Sequence, residues 1–248
     1  MAPLEVRSVT VRFGGTMAVD DVSFGVDAGR ITGLIGPNGA GKTTLFNVIT
    51  GLQPSTAGRV LLAGRDVSHA RPYQRARLGI GRTFQRLELF GTLTVQENIH
   101  LAASLHRRHA RDPEPPGHVV ERLIAELGLG AVADVRADAL PTGQGRLTEL
   151  ARALALKPNV LLLDEPASGQ DHQETEDFAR LLRRVAAEGT AVLIVEHDMD
   201  LVMNACDHIH VLDFGRLVAS GPPDVIRRDP RVQAAYLGRA DQAVAVGR

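Results

Sequence analysis

The run Gly36-Pro-Asn-Gly-Ala-Gly-Lys-Thr-Thr44 constrains this chain more than any other feature. It fits the template G-x-x-x-x-G-K-[ST], with Gly36, Gly41, Lys42 and Thr43 at the fixed positions and Pro37, Asn38, Gly39 and Ala40 between them. Ile31-Thr-Gly-Leu-Ile35 before it reads as a short buried strand, and Leu45-Phe-Asn-Val-Ile49 after it as the apolar face of a helix. A strand, a tight loop and a helix in that order aim backbone N–H groups and a helix N-terminus at one point, which suits a triphosphate. Glycine at 36, 39 and 41 permits the backbone angles and the close approach such a loop needs. Lys42 offers a compact positive charge to the β- and γ-phosphates, Thr43 a hydroxyl to Mg²⁺, and Thr44 a further phosphate donor. Lys42 and Lys157 are the two lysines among 28 basic residues. A protein that otherwise uses arginine keeps lysine where a planar fork would fit badly.

The rest of the pattern alternates. Leu4–Phe13 and Val22–Val26 read as strands, with Gly14-Gly15 a turn, and Gly58–Gly64 as another strand. Residues 94–108 read as a helix. Residues 107–118, polar and with three prolines, read as an exposed loop, and Val119–Leu127 as a helix again. A helix follows Gly143, running from Arg146 to Leu156 and stopping at Lys157-Pro158. Val160–Asp164 reads as a buried strand ending in a carboxylate, and Ala191–Val195 as the next buried strand. Between them Phe178, Leu181, Leu182 and Val185 share one helix face, which Gly189 can end. Ile209–Leu212 and Arg216–Ala219 form a final hairpin around Asp213-Phe-Gly215, and residues 241–248 read as a loose tail. The order implies an α/β fold with a mainly parallel sheet covered on both faces.

Asp164-Glu165 closes the strand that begins at Val160. The carboxyl ends of parallel strands form the ligand crevice, so this pair is expected beside the phosphate loop. Asp164 would hold Mg²⁺, and Glu165 would polarise a water for in-line attack at the γ-phosphate. His197 lies just beyond the next strand and could contact the γ-phosphate while keeping water and Glu165 in line. The other histidines have no readable motif.

Composition sets limits on partners. With 44% hydrophobic and 23% charged residues the protein reads as soluble and globular. A net charge of −1 gives no basic footprint for nucleic acid. No apolar run nears the ~18 residues that span a bilayer, and the N-terminus lacks a signal pattern. One cysteine, Cys206, excludes an internal disulfide framework and fits a reducing cytoplasm.

The ordered set of motifs resembles the nucleotide-binding subunit of ATP-binding cassette (ABC) transporters over nearly the whole sequence. Gly36–Thr44 is similar to the Walker A loop, Leu161–Glu165 to Walker B with its catalytic carboxylate, and His197 to the switch histidine. Phe13 falls where the family stacks an aromatic on adenine. Gln85, in Arg-Thr-Phe-Gln, matches the Q-loop, Leu140-Pro-Thr-Gly-Gln144 the signature, and Ser168-Gly-Gln-Asp171 the D-loop. Three segments, 81–90, 195–203 and 229–238, are similar to the first (R-T-F-Q) type of ATPase in branched-chain amino-acid importers. The resemblance implies a P-loop NTPase core (1–86 and 150–240), an N-terminal antiparallel β-subdomain, and a helical subdomain inserted at about 87–149. It implies ATP and Mg²⁺, with Thr43, Gln85 and Asp164 at the metal and Glu165, His197 and Gln85 in catalysis. Nucleotide contacts would come from Phe13, the Walker A residues, Leu140, Pro141, Thr142, Gly143, Gln144 and Asp171.

Two ATPase subunits, identical or different, would stack head to tail on the cytoplasmic face of the inner membrane. Two transmembrane permease subunits would dock on residues 86–99, and an extracellular solute-binding protein would act indirectly. No nucleic acid is expected. One departure stands out: Pro141 and Thr142 replace the Ser-Gly of the common Leu-Ser-Gly-Gly-Gln signature. The serine hydroxyl is lost, and Thr142 or backbone donors are expected to replace it in part. The competing reading is a soluble ABC ATPase of DNA repair or translation. It calls for a coiled-coil insertion or a second cassette, and the sequence has neither. A non-hydrolysing regulatory module is disfavoured by Lys42, Asp164, Glu165 and His197.

Overall fold

The computed structural model describes residues 2–84, 86–168, 171–196 and 199–237. The protein opens with β1 (Leu4–Phe13) and β2 (Thr16–Val26), paired antiparallel through a tight turn. β3 (Ile31–Ile35) leaves for a second sheet, and α1 (Lys42–Thr50) follows the phosphate loop. β4 (Ala57–Leu62) returns to pair with β1, and the short β5 (Arg65–Asp66) completes a four-stranded antiparallel sheet in the order β2-β1-β4-β5.

The partial alternation in β1 has a local cause. Leu4 and Val6 are buried on even positions, Val9 and Val11 on odd ones. The register breaks between Val6 and Val9, where Ser8 takes φ 47°. One bulged residue switches the parity, so a single face stays apolar along the strand. β2 does the same at Asp21, φ 51°, between Val19 and the set Val22, Phe24 and Val26.

After α2 (Pro72–Arg77) comes β6 (Ile80–Arg82), and then three helices, α3 (Val95–Ala110), α4 (Pro116–Glu126) and α5 (Thr142–Leu154). Strand and helix then alternate through β7 (Val160–Asp164), α6 (His172–Ala187), β8 (Ala191–Val195), α7 (Met199–Ala205) and β9 (His208–Asp213). β10 (Arg216–Gly221), α8 (Pro223–Arg228) and α9 (Pro230–Leu237) finish the described residues. The second sheet has the order β10-β9-β3-β8-β7-β6, parallel throughout except for β10.

Both faces of this sheet are covered, which is why β7 and β8 inside it carry unbroken apolar runs, Val160–Leu163 and Ala191–Val195. Leu34, Val160, Leu162, Leu193 and Leu212 face α1 and the antiparallel sheet. Ile35, Leu161, Leu163, Val192 and Ile194 face a second core built with α3 to α7. α1 is therefore held between two sheets, and the loop at its start inherits that rigidity.

Two sequence boundaries move. α3 continues to Ala110, and α4 begins at Pro116, so the expected loop over 107–118 shrinks to 111–115. Arg107 and Arg108 sit in the last turn of α3, where cations offset the helix dipole. Pro116 takes the first position of α4, where a missing N–H costs nothing. Lys157 then ties the short loop down, with Nζ 2.5 Å from Asp112 Oδ2 and 2.7 Å from Glu114 Oε2. α5 begins at Thr142, four residues before the expected start, because Pro141 is extended and serves as its N-cap. It ends at Leu154, two residues before the expected Leu156.

Candidate active site

The phosphate loop runs from the end of β3 into α1 against two backbone walls. Gly36 has φ 151°, and a Cβ there would lie 2.0 Å from the Leu212 carbonyl oxygen. Gly41, the N-cap of α1, has φ 104°, and a Cβ there would meet the Ala18 carbonyl oxygen at 2.4 Å. β9 and β2 therefore approach the loop more closely than any side chain at these positions would permit. The Gly215 N–H donates to the Ala40 carbonyl at 2.9 Å, and the Asp20 N–H to the Gly215 carbonyl at 2.8 Å. The β9–β10 turn thus bridges the loop to β2.

Lys42 is buried, and its ammonium donates to the carbonyls of Gly36 (2.6 Å) and Pro37 (3.1 Å). The charge is held across the loop by the loop's own backbone. The N-terminus of α1, which begins at Lys42, is the end of the helix where an anion is favoured. Phe13 ends β1 half exposed and pairs with Thr16. Thr16 lies two residues from Ala18, the residue that abuts Gly41.

Asp164 is the last residue of β7 and is buried, paired in register with Val195 at the end of β8. Burial raises its carboxyl above the ordinary aspartate value, and the neighbouring Glu165 raises it further. Arg82 and Lys42 pull the other way. Glu165 occupies the left-handed region at φ 47°, where a non-glycine residue is strained. Its N–H donates to the Val195 carbonyl at 2.8 Å, which joins the ends of the two strands.

Three charged neighbours of the site were given no role in the sequence reading. Glu196 is fully buried after β8, and its Oε1 accepts the Ala167 N–H at 3.0 Å. The signal for it was a carboxylate at the end of a second buried strand, just before His197. Arg82, at the end of β6, lies over the rings of Phe84 (4.0 Å) and Phe46 (5.2 Å) and within the fields of Asp164 and Glu149. Glu149, on α5, is 1% exposed. Arg82 stands in the Arg-Thr-Phe-Gln segment, where Gln85 alone was assigned a role, and Glu149 stands in no motif legible as a site.

The signature residues open α5. Leu140 and Pro141 are extended, while Thr142, Gly143 and Gln144 form its first turn. Pro141, Gly143 and Gln144 line a cleft of about 440 Å³ with Leu147, Glu174 and Phe178. Neither this cleft nor a larger one of about 710 Å³ includes any residue of Gly36–Thr44. Asp171 caps α6, its Oδ1 accepting the Glu174 N–H at 2.8 Å while Glu174 Oε2 accepts the Asp171 N–H at 3.0 Å. Gln85 and His197 lie outside the described residues, as do Gly169 and Gln170 of the D-loop segment.

Fold and loop together define a P-loop nucleotide-binding cassette. Comparisons with known proteins place it further. The ABC transporter family model matches residues 19–168, and a second model, that of the branched-chain amino acid ATP-binding cassette transporter, matches residues 216–242. The protein belongs to the ABC transporter ATP-binding family. It is 39% identical to the high-affinity branched-chain amino acid transport ATP-binding protein BraF of Pseudomonas aeruginosa, over 96% of this sequence and 98% of that one. It is 35% identical to the lipopolysaccharide export system ATP-binding protein LptB of Escherichia coli K12, with the same coverage. An ABC transporter cassette solved in its ADP conformation is 32% identical with TM-score 0.84, covering 96% of this sequence and 99% of that one. A cassette solved as a dimer bound to ADP and Pi is 25% identical with TM-score 0.79, covering 89% and 98%. The protein is accordingly an ABC ATPase that binds ATP, and among its described residues no helix is long and apolar enough to cross a membrane.

Proposed function

We propose that this protein energises the import of branched-chain amino acids or related small solutes. The match of residues 216–242 to the branched-chain amino acid transporter model carries this reading, because that segment lies outside the shared ATPase motifs. Identity to BraF over nearly the whole sequence supports it, and the lower identity to LptB makes an exporter the second choice.

Lys42, the Walker A backbone and Thr44 would bind the phosphates, with Phe13 against the adenine. The residues present fit a divalent cation. Asp164 ends β7 with Glu165 next to it, and burial first, then the Glu165 charge, hold its carboxyl above the ordinary aspartate pKa, a cost that a bound cation would relieve. Thr43, Asp164 and Gln85 would hold Mg²⁺, which when bound neutralises charge on the phosphates. Glu165, at the left-handed turn that ends β7, would accept a proton from the attacking water. His197 would hold water and Glu165 in line.

Among the described residues, the cleft that Pro141, Gly143 and Gln144 line takes in no residue of Gly36–Thr44, which fits a site completed by a second subunit. Leu140–Gln144 of one cassette would then close over the Walker A loop of another, identical or different, with Asp171 near the junction. Two permease subunits would receive the motion through residues 86–99 at the inner face of the membrane, and a solute-binding protein would deliver cargo. The test is transport and ATP hydrolysis by the complex purified with its membrane subunits. Glu165→Gln should abolish both while leaving ATP binding intact. Purification of the protein with no membrane subunit, bound to nucleic acid, would overturn the reading.

A further inference from the structure

α5 is the helix that the signature opens, and Glu149 lies two turns into it. Its Oε1 accepts two backbone N–H bonds, from Phe84 at 3.2 Å and from Glu88 at 3.4 Å. Those residues flank the Q-loop position Gln85. Three neighbours on α5 add to this grip. Arg146 Nη1 donates to the Phe84 carbonyl at 3.4 Å. A Cβ at Gly145 would lie 2.9 Å from Leu87 Cδ1, so the helix is pressed against that side chain. Arg152 lies 5.5 Å from the centre of the Phe90 ring.

The far end of the segment is fixed independently. Asn98, on α3, accepts the Phe90 N–H at 3.0 Å and donates to the Phe90 carbonyl at 3.1 Å. Phe84 and residues 86–90 therefore cannot shift as a body without moving α5 or breaking bonds to it. A buried carboxylate is costly unless its charge is met by donors and cations. Here burial raises its pKa, and the two N–H groups, Arg152 and Arg146 offset that cost. Arg82 lies in the fields of both Glu149 and Asp164, so charge contacts run from the Walker B strand to the signature helix.

We propose that Glu149 is a positioning residue: its carboxylate locks the backbone at Phe84 and Glu88, on either side of Gln85, to the signature helix, so that these flanking residues and the signature move as one body. It touches no nucleotide. The proposal deepens the ATPase reading and rests on it, yet its first readout needs no hydrolysis.

Amide hydrogen exchange at Phe84 and Glu88 in the full-length protein, measured with ATP hydrolysis, tests it. Glu149→Met fills the same space without an acceptor, and Glu149→Gln keeps a neutral one. In Glu149→Met both amides should exchange about tenfold faster or more, as loss of a charge-assisted bond implies. Exchange in α1 should stay unchanged, and kcat should fall with the KM for ATP within about twofold, because Walker A is untouched. Glu149→Gln should restore most of the protection and kcat. Unchanged exchange at 84 and 88 in Glu149→Met would overturn the proposal, as would equal loss in the Gln variant. Should the Met variant fail to fold, the Gln variant decides alone: protection near wild type upholds the lock and lost protection sinks it. A wild-type protein without hydrolysis would instead count against the ATPase reading, and the exchange data would still judge Glu149.

Discussion

Asp164 shows at the scale of one residue what this site costs. Its carboxyl is buried beside Glu165, and both raise its pKa. A carboxylate whose folded pKa lies above its unfolded value lowers stability once it ionises, so the cost is present at neutral pH and disappears as the pH falls. Asp164→Asn should therefore raise the melting temperature of the nucleotide-free protein while abolishing Mg²⁺-dependent hydrolysis. A lower melting temperature would mean that Asp164 is stabilised by its partners. Glu165→Gln should cut kcat by about 10²–10⁴, the range for a lost general base, with ATP affinity kept. Thr142→Val tests the altered signature, and unchanged hydrolysis in the assembled complex would remove that hydroxyl from the mechanism. His210 belongs to the fold. Burial first, then His208, lower its pKa to about 4. With the folded pKa below the unfolded value of ~6.5, stability is complete above that value and falls between about pH 6.5 and 4. Thermal melts across that window should show the slope, and His210→Phe should flatten it.

At the scale of elements, the phosphate loop depends on its neighbours as much as on its own glycines. Gly36→Ala would place a methyl group 2.0 Å from the Leu212 carbonyl oxygen, so β9 or the loop must move. We expect loss of both ATP binding and stability, read by nucleotide titration and a melt. The loop at 111–115 is a second case. Lys157 meets Asp112 and Glu114, and its hydrogen bond to Asp112 holds that carboxyl at a pKa of about 2. Because the folded pKa is depressed, this contact is complete above pH ~4 and fades as the pH falls toward 2. Lys157→Ala should speed proteolytic cleavage within 111–115 with ATP binding unchanged. Several elements were legible beforehand. β8 announced itself as an apolar run of five residues and β7 as a run of four closed by Asp164, because both of their faces are buried. α5 was misplaced at its start, because the helix was expected after Gly143, whereas Pro141 is its N-cap and Gly143 lies in its first turn.

The whole molecule joins two cores across one parallel sheet. Successive residues of a strand serve opposite cores, as Leu162 and Leu163 do in β7. Leu163→Ala should cost about 2–5 kcal/mol, measured by denaturant unfolding, because a fully buried leucine leaves a cavity. The local motifs of Walker A, Walker B and the signature were readable because each needs particular residues at fixed spacing. That spacing is set by short-range backbone geometry, so sequence by itself determined the fold class, the nucleotide loop and the acidic strand end. Only the tertiary structure decided that Glu149 reaches back sixty-five positions to the Phe84 N–H, and that Glu196 accepts the Ala167 N–H. It also decided that the cleft lined by the signature takes in no Walker A residue. Such pairings depend on how helices pack on the sheet, and no local spacing records which buried carboxylate will meet which backbone donor.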